Sequence, residues 1–193
     1  MASLQDLLVS KVRVKLLKIF LANPNEMYYV RQLVRMAKEE INAVRRELLR
    51  METRGLVSKE PRGNRLYYQF RKDYLFYADL LGLVAKTVGL GQKIIKNKNK
   101  IGRIKYVMLS GKLARRMPHQ QADVDLLVVG EVVLPQLAAV VKEYESIFNR
   151  EINYTAMTKE EFEFRKKRRD PFIISILMGS RIMLIGDEQE MVS

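Results

Sequence analysis

Apolar residues near the N-terminus recur every three or four positions, which is the spacing of one face of a helix. This pattern predicts helices over Ser10–Leu21, Val30–Ala37 and Ile41–Thr53. Asn and Pro residues end the first segment, Lys38–Glu40 separates the second from the third, and Gly55 is placed to cap the third. Three short helices therefore open the chain.

The hydrophobic period then changes from about 3.6 residues to two. Leu56–Glu60 and Arg65–Phe70 flank the turn-forming stretch Pro61–Asn64, and apolar side chains alternate along the second segment. A β-hairpin with a basic tip is predicted here. Residues 73–102 follow with a broadly helical apolar pattern that Gly89 and Gly91 weaken near its end. We expect a linker helix that packs between the two halves or forms a dimer seam.

Strands and helices are interleaved in the rest of the chain. The predicted elements are strands Arg103–Leu109, Val124–Val129, Arg150–Ala156 and Arg181–Ile185, a helical turn Lys112–Arg116, and helices Val132–Phe148, Lys159–Arg169 and Pro171–Met178. The predicted fold class is mixed α/β (α+β), with a mixed sheet and helices in the C-terminal half. The predicted domains are residues 1–72 and 103–193, joined by the linker helix 73–102.

Composition excludes several classes of protein. The 193 residues are 48% hydrophobic, which is enough to build a core. Cysteine is absent, so disulfides and thiolate metal sites are excluded, and a cytoplasmic location is expected. No apolar run approaches the length of a membrane span, so no membrane partner is expected. His119, the single histidine, lies in a polar stretch and is predicted to be a surface residue.

The positive charge is concentrated in the first half of the chain. Residues 1–72 hold 16 basic and 7 acidic residues, residues 73–105 hold 7 and 2, and residues 106–193 hold 12 and 13. The net charge of +13 thus belongs to the N-terminal half and the linker. Such a surface attracts polyanions. The alternative is a generally basic, solvated surface.

Three helices followed by a basic hairpin resemble a winged helix-turn-helix domain of the ArsR type, over residues 10–71. The resemblance implies a homodimer that binds double-stranded DNA, with the third helix in the major groove and the hairpin, or wing, on the backbone or in the minor groove. On that helix Asn42, Arg45 and Arg46 are the candidates for base contacts. The candidates for phosphate contacts are Arg31, Gln32, Arg50, Arg62, Asn64 and Arg65.

Asp123 and Asp125 precede an apolar run, and Gly111 lies a short loop upstream. On a strand, carboxylates two residues apart share a face, and beside a glycine turn they can hold Mg²⁺ against a triphosphate. This arrangement resembles the minimal nucleotidyltransferase domain of the DNA-polymerase-β superfamily, over roughly residues 103–187. The resemblance implies Mg²⁺ at Asp123 and Asp125 and nucleotide phosphates at Gly111 and Lys112.

The chain departs from that family at two positions. Lys112 stands where the family has a serine, so a hydroxyl is lost, although an ammonium can meet phosphate. The third carboxylate of the family falls either on Glu151, which could then act as a ligand or base, or on the neutral Asn153. The carboxylate pair is therefore either a working metal site or a remnant paired with neighbouring cations.

Three functions remain open from the sequence. The leading hypothesis is a DNA-binding transcriptional regulator whose C-terminal domain is a degenerate or low-activity nucleotidyltransferase that senses a nucleotide or a partner. The alternative is an active Mg²⁺-dependent enzyme that transfers a nucleoside monophosphate from a nucleoside triphosphate to a protein, a small molecule or RNA. The third is a structural adaptor that uses both domains only for contacts.

Overall fold

The computed structural model describes residues 8–118, 120, 123–148 and 150–193 and shows a mixed α/β protein. The chain forms two compact units, Met1–Thr87 and Val88–Ser193, called here the first and second unit. The predicted surface residue His119 lies outside the described residues. No helix in the described ranges is long and apolar enough to cross a membrane.

The first unit combines helices with a three-stranded antiparallel sheet of order β1-β3-β2. Its elements are α1 (Lys11–Ala22), β1 (Tyr28–Tyr29), α2 (Val30–Ala37), α3 (Ile41–Thr53), β2 (Val57–Arg62), β3 (Arg65–Phe70) and α4 (Tyr77–Thr87). The three predicted helices and the hairpin are confirmed. The hairpin turn is shorter than predicted, because Pro61 and Arg62 extend β2 and only Gly63 and Asn64 remain between the strands.

The apolar faces of α1, α2 and α3 meet the inner face of the hairpin. Phe20 of α1 lies at the centre of this core, with its ring centroid 5.7 Å from that of Tyr28 and 6.5 Å from that of Phe70. Leu33 of α2 and Leu48 of α3 are fully buried. Burial of such side chains contributes roughly 1.5–3 kcal/mol each. The core thus fixes how the exposed faces of α2, α3 and the hairpin are presented.

A buried carboxylate connects α3 to α1. Glu47 of α3 is only 3% exposed, and its Oε1 accepts a hydrogen bond of 2.6 Å from Arg13 Nε. Its Oε2 accepts one of 3.2 Å from Ser10 Oγ. The Ser10 hydroxyl also caps α1 by accepting a bond from the Arg13 amide. A charge this deeply buried is tolerated only because it is paired and hydrogen-bonded.

We predict that Glu47→Ala destabilises the first unit by about 2 kcal/mol, because it removes two hydrogen bonds and leaves Arg13 without this partner. The loss is smaller than for a fully buried ion pair because the Arg13 side chain is partly exposed. Hydrogen exchange of the α3 amides measures this loss on the whole chain. Glu60→Ala, a change at an exposed residue, is the control and should leave these amides unaffected. Equal protection in both variants would contradict the role given to Glu47.

The predicted linker helix is interrupted in the structure. Residues 73–102 contain α4, which ends at Thr87, and a second helix that begins at Gly89. Gly89, the first residue of the second helix, has φ +60°, which residues inside a continuous right-handed helix do not adopt and which glycine adopts without strain. Helix α4 belongs to the first unit, where Tyr77 packs against Phe70, and the second helix belongs to the second unit.

The second unit is built around a four-stranded mixed sheet of order β6-β5-β4-β7. Its elements are α5 (Gly89–Ile101), β4 (Gly102–Ser110), α6 (Gly111–Ala114), β5 (Leu126–Val132), α7 (Leu134–Phe148), β6 (Tyr154–Met157), α8 (Lys159–Lys167), α9 (Pro171–Met178), β7 (Arg181–Ile185) and α10 (Glu188–Val192). Strand β4 pairs antiparallel with β5 and β7, and β5 pairs parallel with β6.

Alternate residues of the central strands bury on opposite faces of this sheet. Leu126 and Val128 pack with α5 and α7, whereas Leu127 and Val129 pack with α8, α9 and α10. A strand buried on both sides needs a continuous apolar run rather than an alternating one, which is what Leu126–Val129 provides. The result is a sheet between two helical layers, with the predicted site residues at the start of β5.

Candidate functional site

The exposed side of the first unit contains a groove of about 1000 Å³ between α2, α3 and the hairpin. We call it the arginine groove. Its lining residues are Tyr29, Val30, Arg31, Val34, Arg35, Arg45, Asn64, Arg65, Leu66 and Tyr68. Four of these are arginines, and none is acidic. The groove therefore has the charge and the hydrogen-bond donors to bind a polyanion.

The groove brings together four of the nine residues predicted to contact DNA: Arg31, Arg45, Asn64 and Arg65. They come from three elements that are distant in the sequence. Arg31 lies on the first turn of α2, Arg45 on α3, and the other two at the hairpin tip. The three arginines are exposed and have no acidic partner among the described residues. Their convergence is produced by the core beneath them.

The other five predicted residues lie outside this lining. Asn42 and Arg46 are exposed on α3, and Gln32 is half-buried on α2. Arg50 lies 3.7 Å from the carboxylate of Glu47. It lines a separate, largely apolar cavity of the first unit, of about 830 Å³. Arg62 is held by an acidic neighbour, described below.

Two aromatic residues that were not predicted hold the basic side chains of the hairpin in place. Tyr29 of β1 and Tyr67 of β3 are cross-strand partners with ring centroids 5.7 Å apart. The guanidinium carbon of Arg65 lies 4.7 Å from the Tyr29 centroid, and that of Arg62 lies 5.7 Å from the Tyr67 centroid. Such cation–π contacts restrict the arginine rotamers.

Arg35, also missed from the sequence, donates a 2.7 Å hydrogen bond from Nη2 to the hydroxyl of Tyr29. It stands four residues after Arg31, one turn further along the same face of α2. That spacing is the signal that could have identified it. Arg31 and Arg35 thus extend the positive lining along α2.

An acidic residue restrains Arg62. Glu60 faces it two residues away on β2, with Arg62 Nε 2.8 Å from Glu60 Oε1. The hydrogen bond from Arg62 holds the pKa of the Glu60 carboxyl below its usual value, and the same bond raises the pKa of Arg62. Because both side chains are about half exposed, this pair is readily exchanged for other partners.

In the second unit, the strand predicted to begin at Val124 begins only at Leu126. Asp125 forms a bend before it, and its amide donates a 2.8 Å hydrogen bond to the carbonyl of Asn153. The two-residue alternation of a strand therefore does not extend back to Asp123. Strand β6 likewise begins later than predicted, at Tyr154.

Asp125 is fully buried. One carboxylate oxygen lies 3.5 Å from Arg150 Nη2, and the other accepts a 3.3 Å hydrogen bond from the Asn153 amide. Arg150 also donates to the carbonyl of Met117 at 3.3 Å. The guanidinium compensates the buried charge and ties the segment before β6 to the loop after α6. Arg150 was not predicted as a partner of Asp125.

Asp123 is part of a different, more open environment. Its Oδ1 accepts a 2.7 Å hydrogen bond from Lys112 Nζ, and its Oδ2 accepts a 3.0 Å bond from the Gln120 amide. It lines a cavity of about 370 Å³ together with Lys112 and the hydroxyl-bearing residues Ser110, Ser175 and Ser180. Asp125 is not part of that lining.

Gly111 is required by packing within this unit. A Cβ atom at this position would lie 2.1 Å from Ser180 Oγ and 2.4 Å from Arg115 Nη1, and the Gly111 amide donates to the Ser180 carbonyl. The close approach of Ser180, just before β7, and of Arg115 therefore accounts for this glycine without a bound phosphate. Of the two candidates for a third carboxylate position, Glu151 is exposed and Asn153 contributes its backbone to Asp125.

These donors do not fit the expected Mg²⁺ site. The ion requires several hard oxygen ligands in near-octahedral geometry, but each aspartate has a cationic partner, Lys112 for Asp123 and Arg150 for Asp125. Among the described residues, no group of three or more histidine, cysteine, aspartate or glutamate side chains is arranged to hold a metal. In this arrangement the carboxylates act as partners of side-chain cations.

We predict that Asp125→Asn lowers the free energy of unfolding of the second unit by about 3 kcal/mol, because the Arg150 guanidinium loses its buried counter-charge. Asp123→Asn should cost less than about 1 kcal/mol, since its lysine partner is nearly half exposed. Hydrogen exchange of the β4 and β5 amides measures both variants. Similar small losses in both would contradict a structural role for Asp125.

Comparisons with protein-family models, with curated proteins and with solved structures found no match. Two sites of the structure therefore bear on the function. These are the arginine groove of the first unit and the carboxylates, with their cavity, in the second.

Proposed function

We propose that this protein is a DNA-binding transcriptional regulator. The first unit would be a winged helix-turn-helix domain of the ArsR type, and the second a degenerate or low-activity nucleotidyltransferase-like domain that senses a nucleotide or a partner. The observation that carries the proposal is the convergence of four arginines in the acid-free arginine groove. Phosphate contacts from such side chains supply most of the affinity of proteins for DNA.

The order of elements in the first unit supports this docking. Helix α3 presents the exposed side chains of Asn42, Arg45 and Arg46 at positions three and four residues apart, so they share one face. In the major groove an arginine can pair with guanine and an asparagine with adenine. The hairpin carries Arg62 and Arg65, which suit the sugar-phosphate backbone. Glu60 would release Arg62 to a phosphate.

We predict that Arg45→Ala weakens binding to duplex DNA about fivefold or more, since one charged or bidentate contact is worth about 1–3 kcal/mol. Arg54→Ala is the matched control. Arg54 is an exposed arginine at the end of the same helix, outside the groove, and its removal should change the affinity less than twofold. Fluorescence anisotropy with labelled duplexes at fixed salt concentration measures both.

The choice of duplex separates two roles for Arg45. A loss confined to preferred duplexes, found by selection from a random library, indicates a base contact. An equal loss for all sequences indicates a phosphate contact and would contradict the base-reading role. Equal losses for Arg45→Ala and Arg54→Ala would contradict the arginine groove as the DNA site.

The donor set of the second unit supports a degenerate nucleotidyltransferase-like domain. The buried Asp125 is committed to Arg150 and to the Asn153 amide, whereas catalysis would need it to hold a metal ion. The cavity next to Asp123 keeps one ammonium and three serine hydroxyls, which are groups that can bind a phosphate. Its volume lies at the small end of ligand sites, about 300–1,000 Å³, so it suits a sensor of a small anionic ligand.

The same cavity also supports the alternative function. An active Mg²⁺-dependent nucleotidyltransferase would transfer a nucleoside monophosphate to a protein, a small molecule or RNA. Asp123 and Asp125 would then have to give up their cationic partners for the metal. Incubation with each α-labelled nucleoside triphosphate and Mg²⁺ tests this, with Asp123→Asn as the inactive control. We expect no transfer above that control if the domain is degenerate. Label transfer that Asp123→Asn abolishes would instead establish the active enzyme.

We also propose that the regulator is a cytoplasmic homodimer, as two-fold symmetric recognition of DNA requires two copies. The first unit exposes two large apolar side chains just before α4: Leu75 is 81% exposed and Phe76 is 53% exposed. A second copy would cover them. Sedimentation equilibrium of Leu75→Ser with Phe76→Ser tests this, because the double variant should be monomeric at concentrations where the native chain is dimeric.

A further inference from the structure

We infer that the end of helix α8 in the second unit is a binding surface for single-stranded nucleic acid, formed by Phe164, Lys167, Arg168 and Arg169. This surface is separate from the arginine groove. It combines an exposed aromatic ring with exposed cations that have no acidic partner among the described residues. Stacked bases and neutralised phosphates are the two interactions that single strands require of a protein.

The run of five basic residues from 165 to 169 divides into two groups in the structure. Arg165 lies 2.7 Å from a Glu161 carboxylate oxygen, and Lys166 lies 3.2 Å from one of Glu163. These two cations are neutralised within α8. The remaining three, at positions 167 to 169, are exposed. Basic residues at a helix C-terminus interact favourably with the helix dipole. This interaction explains the cations at the end of α8 but not the exposed aromatic ring beside them.

Phe164 provides that ring. It is 56% exposed, whereas Phe162 on the same helix is fully buried in the core. The guanidinium carbon of Arg168 lies 4.6 Å from the Phe164 ring centroid, so arginine and phenylalanine are already stacked. Both an aromatic ring and a guanidinium plane can stack on a nucleic-acid base, and the pre-formed pair lowers the cost of ordering them on binding.

Arg169 follows the end of α8 with a left-handed backbone at φ +53°. Glycine is the usual residue at such a position because it adopts this conformation without strain. The chain instead places a third consecutive cation there. Its side chain and that of Lys167 supply the phosphate contacts of the proposed surface.

The test uses the full chain with labelled twelve-nucleotide oligouridine and oligothymidine, in the presence of saturating unlabelled duplex so that the arginine groove is occupied. We expect the triple variant Lys167→Gln, Arg168→Gln, Arg169→Gln to weaken binding at least tenfold. Phe164→Leu, which keeps the apolar bulk and removes the ring, should weaken it about fivefold or more, given the usual energy of base stacking.

The matched control is Lys96→Gln, Lys98→Gln, Lys100→Gln, which removes the same charge from exposed positions of α5 that have no neighbouring aromatic stack. It should change the affinity less than twofold. Tighter binding of oligouridine would identify RNA as the ligand, and equal binding would identify single strands in general. Either result supports the surface.

Three results would overturn the inference. These are no binding of either oligonucleotide at low salt, equal losses in the two triple variants, and unchanged binding in Phe164→Leu. Displacement of the oligonucleotides by vesicles of anionic lipid, with loss of vesicle binding in the same variants, would instead assign the surface to a membrane. Failure of the duplex to bind would contradict only the proposed regulator, because the comparison of the two triple variants still shows whether the oligonucleotides bind at α8.

Discussion

The arrangement of the first unit depends on one buried charge. Glu47 lies between α1 and α3 and is satisfied by Arg13 and Ser10, so it fixes the rotation of α3 relative to α1. The opposite side of the same helix carries Arg45 and its exposed neighbours. A rotation of α3 would carry these arginines away from α2 and the hairpin. The charged surface that we assign to DNA is therefore positioned by the buried charge of Glu47.

The second unit uses its carboxylates in a similar structural way. Asp125 is buried against Arg150, and Asp123 is paired with Lys112. The two aspartates thus form ion pairs with side-chain cations, one of them buried and the other partly exposed. Removal of one partner from a buried pair costs far more than the pair contributes, so Asp125 has a structural role whether or not it takes part in catalysis. The Asp-x-Asp pattern is therefore compatible with a structural role alone.

The sequence predicted most elements of the fold because their apolar periods are clear. The bounds of α2, α3, α9 and β7 were predicted correctly, since each has a regular pattern and a defined start and end. The linker forms two helices that meet at Gly89, one of the two glycines expected to weaken it, but hydrophobicity does not show that the backbone of Gly89 is left-handed. The partners of Asp125 and the role of Tyr29 were missed because both depend on contacts between elements that are distant in the chain. The charge distribution indicated the first unit but not the convergence of its arginines.

The salt dependence of binding to duplex DNA measures whether the arginines of the groove neutralise phosphates. Each phosphate contact contributes about 0.9 to the slope of log affinity against log salt concentration. If Arg31, Arg35 and Arg65 each meet a phosphate while Arg45 contacts a base, we expect a slope of about −2.7 or steeper for the native chain. The slope should become shallower by about 0.9 when Arg31 is replaced by alanine. A slope near zero, or no binding to duplex DNA at low salt, would contradict the account.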